Sequence, residues 1–231
     1  QVYFAFMHRV VAGVVALATV ALQFMLVRSN APSSLKWLGS ASVLLLLTQV
    51  IFGGLTVLLK LHSKVVAAHL GMGTAFFALL LWMYLSLNPK IEIQVSTKIK
   101  NWSIFLIAAV YGQIIMGGMV ASHLASLVCT DFPKCQGEWF PTFSGIIGLH
   151  LIHRLGAYAI FALVVVNLIL LRKQNGLDRI AKGTFAMVCV QIGLGIANVL
   201  FYTPPLIAVA HLAMASAVLS MMVRQVHAVT R

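Results

Sequence analysis

Four histidines of this sequence fall on two copies of one pattern. The dipeptide His-Arg occurs at His8 and again at His153, 145 residues later. His69, within AAHLGMGT, and His211, within VAHLAMAS, are 142 residues apart. The surrounding stretches are apolar, and ionisable side chains in such stretches are costly and usually functional. The repetition therefore indicates that the same chemistry is carried out twice.

Two imidazoles that project from facing helices can hold a metal ion between them. For the iron of a flat porphyrin this is axial ligation by two histidines, whereas zinc takes three or four ligands close together. His8 with His69, and His153 with His211, therefore predict two haem sites. The alternative for each histidine is a polar contact between helices.

Two arginines directly follow the first histidine of each copy. Arg9 and Arg154 are predicted to pair with the anionic propionates of a haem. The alternative is that they extend to lipid headgroups. Small residues also follow the histidines and allow close approach of a flat ring or another helix: Gly13, Gly71, Gly73, Gly156, Ala213 and Ala215.

The other histidines and one cysteine receive a structural interpretation. Three histidines lie near the ends of predicted helices and are interpreted as solvated: His62, His123 and His227. His150 shares a helical face with His153 and is a weaker functional candidate. Cys189 lies in an apolar helix and is predicted to be a packed thiol.

Composition identifies the solvent of these histidines. The chain is 61% hydrophobic and 9% charged, against about 25% charged residues in soluble domains. It is therefore predicted to be an integral membrane protein with the lipid bilayer around it. The net charge of +12 does not indicate nucleic acid binding, because the basic residues lie at segment ends.

Seven uncharged stretches are long enough to span a membrane as helices, which need about 20 apolar residues. Barrel strands would be shorter. The predicted helices are 5–28, 37–60, 65–87, 102–124, 147–171, 183–201 and 206–226.

The basic residues predict an orientation, because they favour the cytoplasmic side. One set of helix ends carries Arg28, Lys36, Lys90, Lys98, Lys100, Arg172, Lys173, Arg179, Lys182, Arg224 and Arg231. The other set carries Arg9, Lys60, Lys64, Lys134 and Arg154. Residue 1 and the loop 125–146 are therefore expected outside, and the C-terminus inside. A bacterial or archaeal plasma membrane is favoured over the mitochondrial inner membrane.

Glutamines extend the duplication. Gln49, in QVIFGG, and Gln191, in QIGLG, are 142 residues apart, and a third copy, QIIMGG, begins at Gln113. The third copy precedes the second His-Arg helix, so a partner helix should precede the first one. Since the chain begins at Gln1 without that helix, we expect that it was cleaved, trimmed or left out.

The predicted fold is an all-α polytopic membrane protein of two pseudo-repeated four-helix bundles. Seven of the eight helices are present. Residues 1–100 are predicted to form the N-terminal half-bundle with one haem site, and residues 101–231 the C-terminal bundle with the other.

The outer loop contains two cysteines, Cys129 and Cys135, six residues apart. The outside of a bacterial or organellar inner membrane permits disulfides, and Asp131 and Pro133 suit a tight loop. A disulfide is therefore predicted. The sequence leaves open whether it is redox-active or structural.

Taken together, these motifs resemble the heme A synthase family. The resemblance rests on the two His-Arg helices, the two later histidines, the duplicated plan and SLVCTDFPKC before the second His-Arg helix. It implies oxidation of the position-8 methyl of heme O to a formyl group, which gives heme A for terminal oxidases. It also implies that His153 and His211 hold heme b as a cofactor, and that His8 and His69 receive heme O as substrate and act in catalysis.

The resemblance further implies partners. Electrons would leave through the heme b to an electron acceptor, and heme O synthase would supply the substrate. A homo-oligomer is a further candidate assembly.

One position departs from the family pattern. A glutamate commonly lies three residues before the first His-Arg histidine in the family, whereas here that position is Ala5. Two other functions therefore stay open, a di-haem b-type electron-transfer cytochrome and a haem transporter.

Overall fold

The computed structural model describes residues 2–87, 93–174 and 176–230. Seven α-helices in these residues are long and apolar enough to cross a membrane, which confirms the predicted all-α membrane fold. They are α1 (Val2–Arg28), α2 (Ser33–Leu58), α3 (Ser63–Leu87), α4 (Thr97–Ser122), α5 (Gly145–Leu171), α6 (Leu177–Leu200) and α7 (Pro205–Thr230). Four residues of the sequence predictions lie outside the described residues: Gln1, Lys90, Glu92 and Arg231.

The helices extend beyond the uncharged stretches that predict them. The largest difference is in α6, which begins at Leu177 rather than at 183. Its first turn contains Asp178, whose carboxylate accepts a 3.0 Å hydrogen bond from Lys182 one turn later. Charged residues stabilise helix ends that emerge from the hydrocarbon. An absence of charge therefore marks the buried part of a helix and not its full length.

The four C-terminal helices close into a ring. Contacts join α4 to α5, α5 to α6, α6 to α7, and α7 back to α4. Residues from all four helices are buried in its centre, among them Leu106, Val164, Val188, Leu219 and Met222. Lipid is as apolar as these side chains, so close packing rather than the hydrophobic effect holds the helices together.

A buried amide cluster also joins three helices of this ring. Asn167 of α5 and Gln225 of α7 are both fully buried and exchange two hydrogen bonds, of 3.0 and 2.9 Å. Trp102 Nε1 donates to Asn167 Oδ1 at 3.1 Å, and Gln225 Nε2 donates to Ser103 Oγ at 2.9 Å. In this cluster the polar groups satisfy one another, which fixes the relative register of α4, α5 and α7.

The three N-terminal helices form a row rather than a ring. In the described part of the chain α1 contacts α2 alone, while α3 contacts α2, α4 and α7. Tyr111 of α4 donates a 2.7 Å hydrogen bond to the carbonyl oxygen of Gly71 in α3 and so joins the two halves. The predicted division into two domains at residue 100, in the first turn of α4, stays a prediction.

A segment of 22 residues between Ser122 and Gly145, which we call the cysteine loop, covers one end of the C-terminal ring. Cys129 and Cys135 form a disulfide with their Cα atoms 4.6 Å apart, which confirms the predicted pairing. Both cysteines are buried. Within the loop, Asp131 accepts hydrogen bonds from the backbone N–H groups of Gln136 and Gly137 at 2.8 and 2.9 Å.

Candidate functional site

All four repeat histidines lie at similar depth and on the same side of the molecule. His8, His69 and His211 each lie six residues after the start of their helix, and His153 lies eight residues after. At 1.5 Å per residue these positions are roughly 9 to 12 Å from the helix starts. Consecutive spanning helices run in opposite directions, so the starts of α1, α3, α5 and α7 share the side that carries the cysteine loop.

Diagonally opposite helices of the C-terminal ring carry the second histidine pair. His153 on α5 and His211 on α7 are half-buried, and their rings are near enough to interact electrostatically. Within the described residues α5 and α7 make no direct helix contact, because α4 and α6 separate them. The two imidazoles therefore point across the middle of a bundle rather than into a packed helix interface.

The first pair has the corresponding placement on α1 and α3. His69 is half-buried and interacts electrostatically with His8, which is exposed. In the described chain α1 and α3 make no direct contact and lie on either side of α2. The structure thus brings together the two histidines of each predicted pair.

Glutamines of the preceding helices reach three of the histidines. Gln113 Nε2 donates to the carbonyl oxygen of His153 at 2.8 Å and lies 3.0 Å from its Nδ1. Gln191 Nε2 lies 3.2 Å from Nε2 of His211. The same pattern places Gln49 Nε2 3.2 Å from the carbonyl oxygen of His69.

These glutamine contacts are the functional feature that sequence reasoning missed. The glutamines were detected as markers of the duplication, and their spacing gave no information about which side chains they contact. The signal was nevertheless present, because each glutamine lies nine residues before the end of its helix while each histidine lies near the start of the next. Antiparallel neighbours bring such positions to the same level.

The donor sets fit a flat iron-centred ring better than a bare metal ion. Among the described residues no group of three or more histidine, cysteine, aspartate or glutamate side chains could hold a metal ion, which argues against a zinc site. Nδ1 of His69 and Nδ1 of His211 are buried without a hydrogen-bond partner in the described structure. Buried polar atoms are normally paired, and unpaired ones often mark a missing partner. Pairs of imidazoles across helix bundles are the arrangement that a porphyrin iron takes.

The two arginines differ in what they contact. Arg9 is exposed on α1. Arg154 is half-buried, and its guanidinium donates hydrogen bonds to four carbonyl oxygens of the cysteine loop. Its Nε is buried and has no partner among the described residues. Most of the donors of Arg154 therefore hold the loop, and one N–H remains for another acceptor.

Three sequence interpretations of minor residues are wrong. His227 is buried against Trp82, with ring centroids 4.9 Å apart, and is not solvated. Cys189 is exposed on the lipid-facing side of α6 and is not packed. His150 is buried and its Nδ1 lies 2.7 Å from the carbonyl oxygen of Ala125, so it anchors the cysteine loop.

The small residues that follow the histidines mostly accommodate neighbouring side chains. A Cβ on Gly156 would overlap Oε1 of Gln113, and one on Gly73 would lie 3.3 Å from Oε1 of Gln49. Gly71 lies against α4, whereas a Cβ on Gly13 would meet nothing within 4 Å. These positions therefore make room for the glutamines and for helix packing.

Fold and histidine pairs together define a class, helical membrane proteins whose paired imidazoles suit a porphyrin iron. Residues 1–223 match the family model described as COX15-CtaA, cytochrome oxidase assembly protein, and the chain belongs to this family.

Named relatives agree with that assignment. The chain is 30% identical over 230 residues to the heme A synthase of Shewanella oneidensis, covering 88% of this chain and 69% of the relative. It is 29% identical to the heme A synthase of a Caulobacter species, with 92% and 69% covered. The heme A synthase of Shouchella clausii is 28% identical, with 98% and 79% covered.

Proposed function

We propose that this chain is a heme A synthase that oxidises the position-8 methyl group of heme O to a formyl group. The observation that carries the proposal is the pair of histidines repeated at one depth on non-adjacent helices, in a chain related to proteins of that name. One pair holds a resident cofactor and the other receives a substrate of the same shape. Duplication of a haem-binding half accounts for both sites.

The reaction removes four electrons and adds one oxygen atom. With water as the oxygen source it is written R–CH3 + H2O → R–CHO + 4 H⁺ + 4 e⁻. The electrons go to an acceptor such as a membrane quinone, which takes two at a time, so two acceptor molecules are needed for each formyl group. Bound heme b would supply a one-electron redox centre between substrate and acceptor.

His153 and His211 would hold the heme b. They lie within a closed four-helix ring, and both are half-buried. A cofactor that stays in place through many turnovers requires such enclosure. Arg154, directly after His153, would use its unpaired Nε–H toward a propionate while its other donors hold the cysteine loop.

His8 and His69 would hold the iron of heme O. His8 is exposed and α1 contacts α2 alone among the described helices, so this half is the more accessible one. A substrate site must exchange its haem, and accessibility suits that task. Arg9, exposed beside His8, would pair with a substrate propionate.

The cysteine loop is placed on the outer face of a bacterial or archaeal plasma membrane, with the C-terminus inside. The basic residues support this orientation. The disulfide between Cys129 and Cys135 supports it independently, because disulfides persist on the oxidising side.

Extraction and identification of the bound porphyrins test the proposal. The chain is expressed in cells that make heme O but lack their own heme A synthase, and the extracted porphyrins are separated and weighed. Heme A in these cells, and none in cells with an empty vector, is the expected result. Heme O bound without conversion would replace the proposal with haem transport.

A second candidate function is di-haem electron transfer. The observation that favours it is Ala5, exposed on α1 one turn before His8, where the resemblance leads one to expect a carboxylate. In the described structure the acids are Asp131 and Glu138 in the cysteine loop and Asp178 at the far end of α6. Two b-type haems per chain, with neither heme O nor heme A, would be the outcome for this function.

A further inference from the structure

Three of the four repeat histidines contact a glycine of the preceding helix. A Cβ built on Gly117 would lie 3.1 Å from Cε1 of His153. The corresponding distances are 3.3 Å from Gly53 to His69 and 3.2 Å from Gly195 to His211. Contacts this short are tighter than most real Cβ contacts, so any larger residue would displace the ring. The imidazoles can occupy their positions because these residues are glycines.

Each of these glycines lies four residues after one of the glutamines that reach the same histidine. The segments are Gln49–Gly53, Gln113–Gly117 and Gln191–Gly195. Residues four apart lie on one face of a helix, one turn apart. The glutamine therefore approaches the histidine from one turn and the glycine receives the edge of its ring from the next.

We propose that these Gln-x-x-x-Gly segments are positioning elements that set the orientation of the iron-binding imidazoles. The inference rests on the proposed function, in which His69, His153 and His211 are haem ligands. The glycine fixes how far the ring can approach the preceding helix. The glutamine fixes the rotation of the ring and provides a hydrogen-bond partner for it.

The physical basis is the second ring nitrogen. A histidine that binds iron through one nitrogen carries a proton on the other, and the partner of that N–H fixes the ring plane and the basicity of the ligand. A glutamine amide can present an N–H donor or a carbonyl acceptor to the ring. Gln113, 3.0 Å from Nδ1 of His153, is already within reach of that nitrogen.

The chain itself offers matched controls for the glycines. A Cβ on Gly112, Gly54 or Gly193 would meet nothing within 4 Å. Gly112 lies on α4 with Gly117, Gly54 on α2 next to Gly53, and Gly193 on α6 close to Gly195. The gain in helix propensity from glycine to alanine is the same in both members of a pair. Any difference between them reports the contact with the histidine.

The experiment compares Gly117→Ala with Gly112→Ala, and Gly195→Ala with Gly193→Ala, in the purified haem-loaded protein. The readouts are the low-spin electron paramagnetic resonance signal and the midpoint potential of the C-terminal haem. We expect both to shift in Gly117→Ala and Gly195→Ala and to match the unaltered protein in the controls. Signals that do not differ within either pair would overturn the inference. Gly53→Ala against Gly54→Ala extends the comparison to heme O bound in the N-terminal half.

Substitution of Gln113 provides an independent test that does not depend on the glycines. Gln113→Leu should weaken haem retention by about 10- to 100-fold, the usual effect of removing a partner of a ligand. Gln113→Glu should retain the haem and lower its midpoint potential, because a carboxylate makes the imidazole a stronger donor. Equal potentials and equal retention in both variants would contradict the positioning role.

Failure of this inference is distinguishable from failure of the proposed function. If the unaltered protein shows no low-spin haem with two histidine ligands, the ligand assignment itself is wrong. If that haem is present and the Gly117, Gly195 and Gln113 variants leave it unchanged, the ligands stand and the positioning role is wrong.

Discussion

The guanidinium of Arg154 donates a 2.8 Å hydrogen bond from Nη1 to the carbonyl oxygen of Lys134. The carbonyl oxygens of Asp131, Cys129 and Pro133 lie at 2.9, 3.3 and 3.4 Å from the same guanidinium. Arg154 follows His153 on α5, so the residue that holds the cysteine loop is adjacent to a proposed haem ligand. The loop and the C-terminal histidine site are therefore mechanically connected through one turn of helix.

Replacement of Arg154 should release the cysteine loop. Arg154→Ala leaves several loop carbonyl groups without their charged donor, at a cost of roughly 2 kcal/mol. Amide hydrogen exchange of residues 129–138 should become faster, as measured by mass spectrometry. Arg172→Ala, which removes the same charge at the opposite end of α5, is the control and should leave the loop unchanged. Equal exchange in both variants would show that Arg154 does not hold the loop.

Order in the loop should also depend on pH through Asp131. Its pKa is lowered, first by the backbone N–H of Gly137 and then by that of Gln136. A carboxylate with a lowered pKa in the folded state stabilises fully above its ordinary pKa, about 3.9, and this contribution is lost as the pH falls through the lower folded value. Exchange at Gln136 and Gly137, corrected for its intrinsic pH dependence, should accelerate only in that acid range.

Asp131→Asn provides the check on that pH dependence. The amide cannot titrate, so the acid-dependent acceleration should disappear. Glu138→Gln, a change of the same kind two residues beyond Gln136, should retain it. An acid transition that persists in Asp131→Asn would assign it to another group.

Sequence patterns predicted the helices well because lipid excludes charge from their middle sections. They failed at helix ends such as α6, where Asp178 and Lys182 pair within the first turn. The histidine pairs were predictable because duplication repeats them at nearly one offset. The contact between Gln113 and His153 was not, because it depends on which face α4 presents to α5. Cys189 failed for the same reason, since an apolar helix contains both lipid-facing and packed positions.

The buried amide cluster should contribute to the stability of the C-terminal ring. Asn167→Leu removes the partner of both Trp102 Nε1 and the Gln225 amide, and we expect a loss of about 1 to 2 kcal/mol. Thermal unfolding in detergent measures it. In the double variant with Gln225→Leu the loss should be smaller than the sum of the single losses, because the partners are removed together. Additive losses would mean that the two amides act independently.

The two histidine pairs should separate cleanly in their functions. His153→Ala and His211→Ala each remove one axial ligand of the resident haem, so the low-spin spectrum of the C-terminal half should vanish. His8→Ala and His69→Ala should leave that spectrum in place and reduce conversion of heme O to background, since they affect only the substrate iron. Optical and electron paramagnetic resonance spectra, together with porphyrin extraction from the same preparations, measure both outcomes.

His62→Ala serves as the control for this set. His62 is exposed near the start of α3, seven residues before His69, and belongs to neither pair. Its replacement changes the histidine content at the same end of the same helix, so both the spectrum and heme A formation should be retained. If His8→Ala or His69→Ala abolishes the resident haem while His153→Ala preserves it, the cofactor lies in the N-terminal half. The exposure of His8 and the enclosure of His153 within the closed ring would then have been interpreted in the wrong direction.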